Sequence, residues 1–72
     1  MDGKEKRKKS VVIKAYTLKQ LADIYCVTKY IMREMIKRHN GKIGDRIGYY
    51  YQVEQVQVIF QTIKLPSNVE ID

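Results

Sequence analysis

Tryptophan is absent from the 72 residues, and cysteine, proline, histidine and phenylalanine occur once each. A single thiol, Cys26, rules out an internal disulfide, and with His39 as the one histidine there is no repeated Cys/His spacing of the kind that holds a structural metal. Cys26 reads as a small buried hydrophobe and His39 as a structural histidine. No serine, histidine and acid arrangement marks a nucleophile with its base, and no glycine-rich loop precedes a helix as a phosphate cradle requires. Long apolar runs are missing too, so neither a secretory signal nor a membrane span follows the basic opening. At this length about 60% of the unfolded chain's surface can be buried, which leaves little room for a deep, dry pocket. The expectation is a small cytoplasmic domain in a reducing compartment. No catalysis, cofactor, metal, small-molecule ligand or membrane partner is expected.

Acid is also in short supply. Eight carboxylates face fourteen lysines and arginines, for a net charge of +6. Half of that surplus sits in residues 1–10, where Lys4, Lys6, Arg7, Lys8 and Lys9 outnumber Asp2 and Glu5. That stretch has no apolar periodicity and reads as a disordered basic arm. An ordered domain is expected over 11–66 and a flexible tail over 67–72.

Within the domain, Val11, Val12 and Ile13 are β-branched and suit a short strand that depends on a partner later in the chain. Thr17 and Gln20 then form a Thr-x-x-Gln capping box, with Tyr16 and Leu21 as its hydrophobic staple. The helix that follows runs to about Tyr25, with Leu18, Leu21, Ala22 and Tyr25 inward and Lys19 and Asp23 outward. After a short turn at Cys26 and Val27, Thr28 caps a second helix, for which Asn40 and Gly41 offer a left-handed stop. Two helices so briefly linked, each with one apolar face, make a helix-turn-helix pattern. GKIGDRIGYYY at 41–51 suits a two-stranded hairpin, its turn at Gly44 and Asp45 or at Gly48. A third helix opens at Gln52 or Val53. It carries Val56, Ile59, Phe60 and Ile63 on one face and ends at Leu65 and Pro66.

The second helix holds the chain's most pointed feature. Lys29, Arg33 and Lys37 recur every fourth residue and so share an arc of roughly 80°. Ile31, Met32, Met35 and Ile36 fall on the other side. Like charges four apart on a helix repel, and a core-packing helix has no use for them. An anionic partner would relieve that repulsion.

YTLKQLADIYCVTKYIMREMIKRH followed by RIGYYY resembles the winged helix-turn-helix of the excisionase and MerR superfamily. The residues that carry the likeness are Tyr16-Thr17, Leu21-Ala22, Val27-Thr28, Ile36-Lys37-Arg38 and Arg46-Ile47-Gly48-Tyr49, and it spans about 13–63. The glycine usual in the turn is replaced by Tyr25 or Cys26, which would widen or distort it. No long dimerisation helix of the MerR kind is read after the wing, so the excisionase side is the closer comparison. The resemblance implies a mainly α fold of three helices plus a small β-hairpin wing. It also implies binding to double-stranded DNA, as a transcriptional regulator or a recombination factor, with further copies of the chain as a conceivable second partner. The rival reading is a protein-interaction module on the same scaffold.

On the resemblance, Lys29, Tyr30 and Arg33 would meet base edges in the major groove, Arg33 through a bidentate fork on guanine, and Lys37 a phosphate. Thr28 would hold the helix start. Lys42 and Arg46 flank the wing and would grip phosphates or the minor groove, although Arg46 could equally balance Asp45. Arg38 is expected to pair with Glu34 along the helix. Strand alternation places Tyr49 and Tyr51 together against the core and leaves Tyr50 open.

Overall fold

Thr17 starts the first helix as its capping box requires. Its hydroxyl accepts from the Gln20 N–H at 3.2 Å, and its own N–H donates to Gln20 Oε1 at 2.9 Å. The computed structural model describes residues 9–72. They form β1 (Lys9–Val11), β2 (Tyr16–Thr17), α1 (Leu18–Tyr25), α2 (Lys29–Arg38), α3 (Asn40–Ile43), β3 (Tyr50–Tyr51), α4 (Val53–Thr62) and β4 (Val69–Ile71). Four helices and two small two-stranded sheets make the described residues a mixed α/β fold, about half of it helical, with the short α3 beyond the three helices expected. Leu21, Met32, Val56 and Ile59 lie at its centre with no exposed surface. None of the described helices is long and apolar enough to cross a membrane.

Between α1 and α2 the chain turns without glycine. Cys26 adopts the left-handed conformation itself, with φ 58° and ψ 41°. Its N–H reaches Asp23 O at 3.2 Å, and the next N–H, of Val27, reaches Ala22 O at 3.0 Å. Those two bonds are the Schellman closure of a helix C-terminus. The turn is therefore not widened. The same geometry turns the Cys26 side chain outward, so the thiol is exposed and not buried as expected. Thr28 then caps α2, its hydroxyl accepting from the Ile31 N–H at 3.1 Å.

No left-handed stop forms at Asn40 and Gly41, because the chain bends at His39 and resumes as the single turn α3. The His39 carbonyl accepts from the N–H groups of Lys42 and Ile43, and the turn delivers Ile43 into the core. The reversal falls instead at Gly44, with φ 82°. Beyond it the expected two-stranded hairpin reduces to one bridge, Ile47 with Tyr50, around Gly48 and Tyr49. Of the two turn positions open in the sequence, Gly48 is the one used, with φ 66°. β3 finds its partner in β2, pairing Tyr16 with Tyr51 and Thr17 with Tyr50. Gln55 secures the approach: its amide donates to Ile43 O at 3.2 Å and Asp45 O at 2.8 Å, while its oxygen accepts from the Gln52 N–H.

Helix α4 buries Val56, Ile59 and Phe60, with Ile63 at its end, and Phe60 meets the rings of Tyr16 and Tyr25. The Tyr25 hydroxyl donates to Ile63 O at 2.8 Å, joining α1 to the end of α4. Burial pushes this phenol well above the usual tyrosine range.

Both ends of the domain differ from expectation. Of the basic arm over 1–10, residues 1–8 lie outside the described residues, but Lys9 and Ser10 belong to β1 and pair in parallel with Val69 and Glu70. The strand expected over Val11, Val12 and Ile13 is thus shifted towards the N-terminus. The tail over 67–72 is not loose. Pro66 accepts from the Val69 N–H at 3.0 Å in a turn that sends the chain back along β1, and Val69 is buried beside Val11 in the core cluster.

Candidate nucleic-acid interface

Both α1 and α2 begin with their positive dipole ends uncompensated. Neither has an acid in its first turn, and each has a lysine there instead, Lys19 and Lys29. A cation at a helix N-terminus opposes the macrodipole, so this placement costs stability unless an anion is at hand.

The two helix starts open onto one groove of about 310 Å³. Thr17, Leu18 and Lys19 form one wall, Lys29 and Arg33 of α2 a second, and Arg46 and Tyr49 of the turn at 47–50 the third. Four of these seven side chains are cationic and none is acidic. Lys19 meets Asp23 at 3.9 Å along the helix, but both ends of that pair are exposed and hold each other weakly.

Arg46 is held by stacking, its guanidinium carbon 5.5 Å from the centroid of the Tyr51 ring. Among the described residues it makes no ion pair with Asp45, so the charge-balance alternative falls away and the guanidinium edge stays available to the groove. Tyr51 is buried, whereas Tyr49 is 79% exposed. The expected alternation fails because Tyr49 occupies the turn, not a strand.

Of the residues singled out in the sequence, Lys29, Arg33 and Arg46 come together in this groove, with Thr28 capping the helix that carries two of them. Lys37 and Lys42 are exposed outside it. Lys37 leans to Glu34 at 3.9 Å, one residue nearer than the expected partner Arg38 and equally within reach on a helix surface. Tyr30 faces the other flank of α2, where it lines a second groove of about 430 Å³ with Ile31, Glu34, Met35 and Arg38. Ile31, expected on the side away from the basic stripe, is 46% exposed on that flank.

Lys19 and Tyr49 are the groove residues that sequence reasoning passed over. A signal for Lys19 was present, since a lysine two residues after a capping threonine stands where an acid is favoured. Tyr49 had none beyond the choice of Gly48 as the turn. Comparisons with family models, curated proteins and solved structures return no match.

Proposed function

We propose that this chain is a winged helix-turn-helix protein that binds double-stranded DNA, with α2 in the major groove and the turn at 47–50 as the wing. The observation that carries this reading is the convergence of Lys19, Lys29, Arg33 and Arg46 on one acid-free groove at two helix N-termini. If α2 and the wing enter neighbouring DNA grooves, the cleft between them receives the sugar-phosphate strand that separates those grooves. Arg46 and Lys19 then meet phosphates, while Lys29 and Arg33, on the early turns of α2, reach phosphate and base edge. Transcriptional regulation or assistance to recombination follows as the task, by the resemblance to excisionases.

Selection from random duplex pools at several salt concentrations tests this. An enriched motif supports base reading; salt-sensitive binding with no motif supports an architectural role; no binding rejects the reading. A protein-interaction role draws on a different observation, the apolar flank of α2 formed by the exposed Tyr30 and Ile31 with the half-buried Met35. It predicts that charge removal in the cationic groove has no effect on partner binding.

A further inference from the structure

Ile47 and Tyr49 are the most exposed large apolar residues among those described, at 74% and 79%. They flank Gly48 on one tight turn, which the Ile47 to Tyr50 bridge closes. Six other large apolar side chains among the described residues are exposed, Tyr30 at 69% and the rest at 42–50%, but only Ile47 and Tyr49 stand this open on one turn. Scattered exposed apolar residues are ordinary, but a pair flanking one glycine on a tight turn is a surface with a direction.

We propose that the turn at 47–50 is an apolar wedge that enters the minor groove of duplex DNA and parts one base step, kinking the helix. The inference rests on the duplex-binding reading and adds what the wing does there. Three features support it. The turn is a single two-residue reversal, so Ile47 and Tyr49 are carried on the least backbone that a hairpin allows. Its base is fixed, because β3 pairs with β2, Tyr51 is buried and Arg46 lies over its ring. Cations lie next to it: Arg46 directly precedes Ile47, and Tyr49 lines the same groove as Lys29 and Arg33. Phosphates gripped there would hold the tip against the adjacent base edges. Apolar side chains inserted in this way unstack bases, and the contacts that the bent duplex then makes offset the unstacking. An anionic bilayer would also attract a basic protein with an apolar tip. However, a planar surface meets convex cations, and these four lie in a concavity.

The test uses the full chain with duplexes carrying 2-aminopurine at successive positions, a second set end-labelled for energy transfer, and phosphatidylserine vesicles. We expect the emission of 2-aminopurine to rise at one step, most readily at TA or CA, and the duplex ends to approach. Ile47→Ser changes only an exposed side chain. It should weaken duplex binding by about tenfold, the equivalent of one apolar side chain withdrawn, and abolish both signals. Tyr49→Ser should act in the same direction. Tight duplex binding with emission and end distance unchanged would overturn the wedge while leaving duplex binding intact. Failure to bind duplex would overturn both readings, and vesicle binding lost in Ile47→Ser would assign the tip to a lipid surface.

Discussion

The guanidinium of Arg46 lies over the ring of Tyr51, 5.5 Å from its centroid, so a core residue aims a surface cation. Tyr51 is buried and pairs with Tyr16 in the short sheet that opens α1, and it cannot itself reach a ligand in the groove. A stack of this kind contributes about 0.5–1 kcal/mol at an exposed site. Tyr51→Leu should therefore weaken duplex binding about two- to fivefold while leaving the salt slope unchanged, because the charge remains. Arg46→Gln should weaken it further and lower the slope by about one. Fluorescence anisotropy at several salt concentrations separates the two effects.

Cys26 occupies a left-handed position that glycine would take without strain. An L-residue there costs roughly 1–2 kcal/mol, and glycine gives back about 0.5–1 through the extra freedom of the unfolded chain. Cys26→Gly should thus raise stability by up to ~1 kcal/mol, and Cys26→Val should lower it, since a β-branched residue tolerates this region least. Urea midpoints at constant m-value check both.

Gln55 is the only described side chain bonded to both α3 and the loop that leads to the turn. Gln55→Glu keeps an oxygen for the Gln52 N–H but offers a carboxylate to two carbonyls that need a donor. A loss of about 1–3 kcal/mol is expected at neutral pH. Facing acceptors raises the carboxyl pKa in the folded state, so stability should recover as pH falls and the group gains its proton. Equal destabilisation at acid and neutral pH would show that these bonds are not what the residue supplies.

Local chemistry was the legible part of this chain. The Thr17 to Gln20 box, the Thr28 cap and the inward faces of α1 and α4 depend on neighbours within a turn or two, and they form as the residue pattern requires. What could not be read depends on contacts distant in sequence. β4 becomes a strand only because β1 lies beside it, 60 residues earlier. Tyr51 is buried because β3 pairs with β2 and not within a hairpin. Asn40 and Gly41 fail as a stop because Ile43 has a place in the core that a bend at His39 can reach. The candidate site divides the same way. Lys29 and Arg33 follow from helical spacing and Arg46 from the resemblance, whereas Lys19 joins them only because α1 packs beside α2, and Tyr49 only through the chain's return past the start of α1.

Tyr25 links α1 to α4 through a hydroxyl bonded to Ile63 O, and burial holds its proton more tightly than in the unfolded chain. The unfolded phenol ionises near 10.0 and the folded one at higher pH. The folded state therefore binds more protons above that value, and stability falls as pH rises past it. Tyr25→Phe should be less stable at neutral pH by about 0.5–1.5 kcal/mol for the lost bond, yet lose less stability between neutral and alkaline pH. Thermal melts across that range read the difference in slope.

The central claim is that the four-cation groove holds a DNA strand, and its most direct measurement is the salt dependence of duplex affinity across single lysine and arginine replacements. Lys19→Gln and Arg33→Gln should each lower the slope of log K against log salt by about one, and Arg33→Gln should cost ~1–3 kcal/mol if its fork also reads a base. Lys37→Gln and Lys42→Gln, both outside the groove, should leave slope and affinity close to those of the parent chain. Equal effects from all four replacements would mean that the protein binds through general charge alone. A larger loss from Lys37 or Lys42 than from Lys19 or Arg33 would place the interface elsewhere and contradict the account.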